Sequence, residues 1–267
     1  MGPFRPDGSQ LRQREMHGGP PYRSAGPADS LYGVREAPFT TLRVEQGEIW
    51  FAEAHWRRLE AGARHLGFAP PARADLVRRV VAAAKGIGSA RVRVTLAEAG
   101  EASVEVAPLV EPVSPWRLLP IEIEAGALPV AHKTTARARY ERAKSQAAGW
   151  DDALLVTAEG VLLETTIANL FLLLDGGRLW TSRSDLPLLA GIARGRVLSA
   201  AARLGLAVME AHPTAREAAS AVACFVTNAL LPVHPVAEIA GVARFPASDR
   251  MARHLIHSLR TESLRPV

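Results

Sequence analysis

Pairs of strand-like segments joined by tight glycine turns are the feature that most restricts how this chain folds. Residues 90–96 and 102–107 alternate apolar and polar side chains on either side of a turn that ends at Gly100. Residues 153–157 and 161–164 repeat this arrangement around a second glycine turn. A strand that returns directly through a tight turn pairs antiparallel with the strand before it. The pattern therefore predicts hairpins and argues against a doubly wound parallel sheet.

Helical segments lie between these strands. Residues 39–45 have the composition of a strand, and residues 54–66 place apolar side chains at helical spacing until Gly67 ends the run. The mixture of hairpins and helices predicts an α+β fold. The other predicted helices cover residues 76–84, 140–148 and 191–204, and the other predicted strands cover residues 48–51, 116–124, 169–174, 178–181 and 221–227.

Composition shifts along the chain suggest its domain organisation. Residues 1–30 are rich in glycine, proline, serine and arginine, which is typical of a flexible extension. Prolines at positions 108, 112 and 115 mark a linker between two lobes. We therefore predict a flexible extension over residues 1–30, a small α+β lobe over residues 31–113 and a larger α+β lobe over residues 114–267.

Composition also excludes several classes of function. Of the 267 residues, 48% are hydrophobic and 22% are charged, which is typical of a soluble protein with a sizeable core. We expect no membrane association, because no apolar run reaches the roughly 18 residues of a membrane span. The net charge of +5 is spread among interleaved acidic residues, and we expect neither nucleic-acid binding nor a metal site. The single cysteine, Cys224, predicts the cytoplasm.

Two ionisable residues follow or close apolar segments. Lys133 comes after the strand-like end Pro-Val-Ala, where burial would lower the pKa of its amine and make it nucleophilic toward an aldehyde. Glu164 closes an apolar run, and a buried carboxylate needs a partner such as a protonated pyridine nitrogen. Taken separately, each residue is as easily interpreted as a solvated surface charge.

Three further segments could hold an anion. Gly191 precedes a predicted helix whose first amides belong to Ile192 and Ala193, and such helix starts attract phosphate groups. Asn228 and Ala229 form a polar turn after a buried strand. Arg58 lies beside the apolar face of the first helix, where it could reach a phosphate. An ordinary helix start and a solvated arginine are the alternatives.

Taken in order, these residues resemble the class IV aminotransferases. This family includes branched-chain aminotransferase, D-amino-acid aminotransferase and aminodeoxychorismate lyase, and the resemblance runs from Phe39 to Ala243. The matching series is Lys133, Glu159-Gly160, Glu164, Asn169-Leu-Phe171, Gly191-Ile-Ala-Arg194 and Asn228.

The resemblance implies an α+β, two-lobed D-amino-acid aminotransferase-like fold with pyridoxal 5'-phosphate (PLP) between the lobes. It implies that Lys133 is the catalytic lysine that forms a Schiff base with PLP, and that Glu164 is the partner of the pyridine nitrogen. It implies a homodimer, as is usual in the family. The other cofactor-binding residues that it implies are Arg58, Ile192, Ala193, Asn228 and Ala229 at the phosphate, Arg137 near the ring hydroxyl, and Asn169.

The segments 132–135 and 227–236 most resemble aminodeoxychorismate lyases. That resemblance implies a small-molecule amine substrate, 4-amino-4-deoxychorismate, which is converted to pyruvate and the folate precursor 4-aminobenzoate. The alternative is a branched-chain or D-amino-acid aminotransferase acting on amino acids, in which the same lysine would return its proton to the cofactor. A non-catalytic PLP-binding relative is a more distant alternative. General acid–base chemistry by one amine serves both enzymes.

The residue that reads the substrate carboxylate is harder to identify. Many family members carry an arginine-containing loop after the strand that matches residues 91–96, and this chain has the short turn 97–100 instead. Arg43, Arg93 and His234 are candidate substitutes, although each is as easily a solvated or structurally paired residue. The segment ahead of residue 39 also lacks the opening pair of strands that is usual in the family.

Overall fold

Two β-sheets organise the part of the chain that the structure describes. The computed structural model describes residues 36–98, 100–124, 127, 130–245 and 250–264. The predicted extension over residues 1–30 lies outside the described residues. Of the segment ahead of residue 39, which was expected to lack an opening pair of strands, only residues 36–38 are described. Residues 37–267 form one compact unit.

The first sheet is antiparallel and consists of β1 (Phe39–Glu45), β2 (Glu48–Ile49), β3 (Ser89–Leu96) and β4 (Ala102–Pro108) in the order β2-β1-β3-β4. One face of this sheet packs on the helices α1 (Ala52–Leu66) and α2 (Arg73–Ala83) through a core that includes Leu42, Trp56 and Leu59. Every second side chain of β3 is therefore buried.

The junction between β2 and α1 corrects one prediction. The predicted strand over residues 48–51 ends at Ile49, because the backbone of Phe51 adopts a left-handed conformation with φ of 54° and begins the helix. At its other end, α1 stops where predicted, since Gly67 has φ of 71° and its amide bonds back to the last turn.

The second sheet has nine strands: β5 (Trp116–Glu122), β6 (Asp152–Val156), β7 (Leu162–Thr165), β8 (Asn169–Leu174), β9 (Arg178–Ser182), β10 (Ala207–Ala211), β11 (Ala223–Thr227), β12 (His234–Ile239) and β13 (Ala243–Arg244). Six of them close into a ring. Strands β8, β11, β12, β5, β6 and β7 follow one another, and β7 pairs again with β8. The pair that closes the ring is Glu164 opposite Asn169. The pairings of β5 with β6 and β12 and of β9 with β10 are parallel, and the others are antiparallel.

A short 3₁₀ turn, Asp175–Gly177, joins β8 to β9. The helices are α3 (Ala138–Gln146), α4 (Ile192–Arg203), α5 (Ala215–Ser220) and α6 (Arg250–Ser263).

The α+β class is confirmed, as are both predicted hairpins, β3–β4 and β6–β7. Five elements were not predicted from the sequence: β10, α5, β12, β13 and α6. Four of the five residues of β10 are exposed, so this edge strand shows no apolar alternation. Pro112 and Pro115 fall between β4 and β5, whereas Pro108 is the last residue of β4. A lobe boundary at residue 113 stays a prediction. Among the described residues, no helix has the length and apolarity needed to cross a membrane.

Candidate active site

Lys133 lies beside the start of β1. Its carbonyl accepts a hydrogen bond from the amide of Phe39 at 3.0 Å, and the neighbouring Thr135 exchanges backbone and side-chain bonds with Ala37, both at 2.9 Å. The Lys133 ammonium nitrogen lies 4.8 Å from the centre of the Phe39 ring. These bonds hold the lysine segment against the start of β1, as a pre-positioned nucleophile requires.

The amine of Lys133 is in an unusual electrostatic environment. Burial lowers its pKa well below the ordinary lysine value, and the positive charges of Arg58, Arg137 and Arg93 lower it further. Glu164 opposes them. The sequence contains two other lysines, Lys85, which is exposed, and Lys144, which is half-exposed and paired with Asp152. Of the three lysines, Lys133 is the least exposed, in keeping with the lowering of its pKa by burial.

Glu164 is a buried carboxylate that accepts three hydrogen bonds. The Tyr140 hydroxyl donates to Oε1 at 2.7 Å, the amide of Leu189 donates to the same oxygen at 2.9 Å, and Asn169 Nδ2 donates to Oε2 at 3.0 Å. Burial raises the pKa of Glu164 to about 7, although the donors and Lys133 oppose the rise. The group is therefore ready to ionise when a cation approaches it.

Asn169 connects this carboxylate to the start of α4. Its Nδ2 also donates to the carbonyl of Leu189 at 2.8 Å, and its Oδ1 faces Gly191. A Cβ atom on Gly191 would lie 2.2 Å from that oxygen, so only glycine fits. Gly191 caps the helix without a side-chain hydrogen bond, and the amides of Ile192 and Ala193 stand in its first turn. This helix start can accept an anion.

Arg58 is a partly buried residue whose guanidinium has no carboxylate partner among the described residues. Its Nη2 donates to Thr40 Oγ1 at 2.9 Å and lies 3.4 Å from His55 Nδ1, whereas its buried Nε has no partner in the described structure. Burial lowers the pKa of Arg58 to about 10. A buried positive charge of this kind calls for an anion, so the arrangement fits a phosphate group.

Arg137 and the turn at Asn228 have contacts of different kinds. The Arg137 guanidinium donates to the carbonyl of Thr166 at 2.6 Å and lies 4.6 Å from the centre of the Tyr140 ring. Asn228 Oδ1 accepts the amides of Leu230 and Leu231, both at 2.9 Å, so its side chain shapes the turn. Contacts of Asn228 and Ala229 with a phosphate stay predictions.

The three candidates for reading a carboxylate differ in their surroundings. Arg93 lies 3.9 Å from the centre of the Phe39 ring and acts electrostatically on Lys133. Arg43 is ion-paired with Glu45 at 3.2 Å and with Glu111. His234 bonds to the carbonyl of Ser114 at 3.1 Å and packs on Trp116, and burial lowers its pKa. Of the three, Arg93 is the one that the structure brings to Lys133.

Tyr140 and Thr40 are site residues that were not predicted from the sequence. Tyr140 lies in α3, seven residues after Lys133, and the guanidinium groups of Arg137 and Arg139 lie 4.6 Å and 5.0 Å from the centre of its ring. Burial and the charge of Glu164 raise the pKa of the Tyr140 hydroxyl, which therefore stays protonated as a donor. No local pattern marks either residue, because both act through partners distant in sequence.

A lysine amine of lowered pKa, a buried carboxylate, a partly buried arginine and a helix start that can accept an anion are together typical of an enzyme that holds an anionic cofactor. Comparison with known proteins agrees with this class: the sequence model of the family described as amino-transferase class IV matches residues 37–239. The chain belongs to the class IV aminotransferase family. Membership in this PLP-dependent family confirms the predicted cofactor, and the chain is a PLP-dependent enzyme.

Individual relatives carry two kinds of names. A candidate branched-chain-amino-acid aminotransferase of Rickettsia bellii is 31% identical over 132 residues, 48% of this chain and 43% of that protein. A candidate aminodeoxychorismate lyase of Schizosaccharomyces pombe is 28% identical over 145 residues, 51% of this chain and 62% of that protein. The chain thus matches less than two thirds of the length of these curated relatives.

A solved structure extends the likeness over most of the chain. The crystal structure of a candidate 4-amino-4-deoxychorismate lyase from Legionella pneumophila has a TM-score of 0.72 and 26% sequence identity. The match covers 85% of this chain and 91% of that one. The predicted class IV fold is therefore confirmed.

The contact between Asn169 and Gly191 leads to a stability prediction. We expect Gly191→Ala to lower the free energy of unfolding by about 1–3 kcal/mol, because the added methyl group has no room beside Asn169 Oδ1. Gly195 in the same helix is the matched control, since nothing lies within 4 Å of an added Cβ there. Gly195→Ala should stabilise by up to about 1 kcal/mol. Urea unfolding measures both, and equal effects would contradict the assigned contact.

The buried carboxylate leads to a prediction about pH. The pKa of Glu164 in the folded protein, about 7, exceeds its ordinary value of 4.5, so its contribution to stability falls as pH rises between these values. The unfolding free energy of cofactor-free Glu164→Gln, relative to the wild type, should therefore rise by on the order of 3 kcal/mol from pH 4.5 to pH 8.

Glu159→Gln is the control for this experiment. Hydrogen bonding to Thr157 lowers the pKa of the exposed Glu159, so the contribution of this carboxylate to stability is lost mainly as the pH falls below 4.5. The unfolding free energy of Glu159→Gln relative to the wild type should therefore not rise from pH 4.5 to pH 8. A Glu164→Gln curve parallel to that of the wild type would show that the carboxylate titrates normally.

Proposed function

We propose that this chain is a 4-amino-4-deoxychorismate lyase, which uses PLP to release pyruvate and 4-aminobenzoate. The observation that carries the proposal is the likeness to the Legionella pneumophila lyase candidate, which spans 85% of the chain. The sequences around Lys133 and Asn228 support the same choice. The site geometry supports proton transfer by one buried amine, which this reaction requires.

The cofactor would be held at three points of the site. When bound, PLP supplies an aldehyde for an amine to add to and a ring that accepts electrons. Lys133 would face the aldehyde, and Glu164 would bind the protonated ring nitrogen, which would in turn favour the carboxylate form of Glu164. Arg58 and the amides of Ile192 and Ala193 would bind the phosphate. Because Arg58 belongs to α1 and Glu164 to β7, this placement puts the cofactor between the two predicted lobes.

The proton transfer belongs to Lys133. With PLP bound, Lys133 Nζ would remove the proton from the substrate ring carbon that carries the nitrogen, since its lowered pKa favours the unprotonated amine. The carbon–oxygen bond to the enolpyruvyl group then breaks and the ring becomes aromatic. The released enolpyruvate takes up a proton to become pyruvate, so the reaction is redox-neutral.

A branched-chain aminotransferase is the second candidate function. The Rickettsia bellii relative favours it, although that match covers 48% of the chain. An aminotransferase would use the same cofactor contacts and the same amine, with the proton returned to the cofactor. The two functions therefore differ in substrate and in the final position of the proton rather than in the residues that hold PLP.

We also infer a cytoplasmic homodimer. The one cysteine of the sequence, Cys224, is a buried free thiol, as suits a reducing compartment. The homodimer follows from the family resemblance alone.

The attachment of the cofactor can be tested on the three lysines. Borohydride reduction of the PLP-loaded protein, followed by peptide mass spectrometry, should place the pyridoxyl group on Lys133, because its amine has the lowered pKa that a nucleophile needs. Lys85 and Lys144 serve as internal controls and should remain unlabelled. Labelling spread over all three lysines would refute the selective role of Lys133.

The reaction itself can be tested with paired assays. The purified enzyme should form 4-aminobenzoate and pyruvate from 4-amino-4-deoxychorismate, and Lys133→Ala should lose at least about 100-fold of this rate, as expected for loss of a general acid–base group. Lys85→Ala is the control and should retain the wild-type rate. Exchange of amino groups between glutamate and branched-chain keto acids, without 4-aminobenzoate, would replace the lyase with the aminotransferase.

A further inference from the structure

Thr40, His55 and Arg58 form a buried hydrogen-bonded chain at the base of the proposed phosphate site. Thr40 and His55 are both fully buried. Thr40 Oγ1 lies 2.7 Å from His55 Nδ1 and 2.9 Å from Arg58 Nη2, and the arginine nitrogen is 3.4 Å from the same histidine nitrogen. Thr40 belongs to β1, while the other two residues lie on one face of α1.

The direction of these hydrogen bonds follows from what each group can donate. A guanidinium only donates, so Thr40 Oγ1 and His55 Nδ1 both accept from Arg58 Nη2. With Nδ1 as an acceptor, the Thr40 hydroxyl donates its proton to that nitrogen and the ring carries its own proton on Nε2. The buried Nε2 has no hydrogen-bond partner in the described structure. Burial, followed by the charges of Arg58 and Lys133, lowers the pKa of His55 well below its ordinary value, which agrees with a neutral ring.

A neutral support has a consequence for the charge of Arg58. Among the described residues no carboxylate pairs with Arg58, and its buried Nε makes no hydrogen bond. A supporting carboxylate would orient the guanidinium equally well but would cancel the charge that attracts an anion. The pair of Thr40 and His55 orients Arg58 and leaves that charge intact.

We propose that Thr40 and His55 are positioning residues, which hold Arg58 in place for the phosphate of the cofactor through neutral hydrogen bonds. The proposal rests on the proposed contact between Arg58 and the phosphate, and it is independent of whether the enzyme acts as a lyase or an aminotransferase. Neither residue needs to touch the cofactor.

The proposal is tested by comparing two ligands that differ only in the phosphate, PLP and pyridoxal. For Thr40→Val, which keeps the shape of the side chain and removes the hydroxyl, the Kd for PLP should rise about tenfold, as expected for the loss of a hydrogen bond to a charged group. The Kd for pyridoxal should change by less than about twofold, because pyridoxal has no group for Arg58 to bind. Absorbance titration measures both.

Conservative variants separate the hydrogen bonds from packing. Thr40→Ser keeps the hydroxyl and should bind PLP within about twofold of the wild type. His55→Asn can present an acceptor in place of Nδ1, whereas His55→Phe fills the space without one. We expect PLP affinity to be retained better in His55→Asn than in His55→Phe, with pyridoxal affinity similar in both.

A double-mutant cycle identifies Arg58 as the residue through which the others act. In an Arg58→Ala background, Thr40→Val should cause no further loss of PLP affinity, since the group that it positions is gone. A full additional loss in that background, or equal weakening of PLP and pyridoxal, would overturn the proposal and assign Thr40 and His55 to packing alone.

Two controls keep these outcomes distinct. Thermal unfolding of each variant shows whether it folds, and if Thr40→Val does not, the pair His55→Phe and His55→Asn supplies the same comparison. If Arg58→Ala itself leaves the Kd for PLP unchanged, the phosphate placement and the positioning proposal both fail. The absence of 4-aminobenzoate formation with these affinities as expected would reject only the lyase.

Discussion

The buried carboxylate of Glu164 is the constraint on which the site and much of the second sheet depend. Its burial is tolerated because three donors reach it from different elements: Tyr140 of α3, Asn169 of β8 and the amide of Leu189 ahead of α4. The pair of Glu164 and Asn169 also closes the ring of six strands. The hydrogen bond from Asn169 therefore both supports the carboxylate and joins β7 to β8.

Positive charge dominates the surroundings of Lys133. Arg58, Arg137 and Arg93 all lower the pKa of its amine, and Glu164 is the carboxylate that opposes them. Such a field serves two purposes, since it keeps the amine neutral enough to accept a proton and it favours anions such as a phosphate or a substrate carboxylate. Arg58 is hydrogen-bonded to neutral groups. By contrast, Arg43, a further arginine on β1, is ion-paired with Glu45 and Glu111.

Much of the fold could be predicted from local sequence. The apolar run of β8, the alternation of β3 and the glycine end of α1 each indicated the observed element, because burial on one or both faces leaves a periodic record. The elements that were not predicted either lack a periodic apolar pattern or have one that a proline interrupts. β10 is exposed at the edge of the sheet, and β12 contains Pro235. The parallel pairing of β5 with β6 and β12 joins distant segments and has no local signature.

The sequence by itself determined which residues have the chemistry for the site. The family is indicated by the order of Arg58, Lys133, Glu164 and the Gly191 helix start along the chain. This order can be read from the sequence because residue type and spacing are local properties. Only the tertiary structure decided how these groups are supported. It brought Tyr140 to Glu164, Thr40 and His55 to Arg58, and Arg93 to Lys133. Such contacts depend on strand pairing and helix packing between distant segments, which periodicity does not encode.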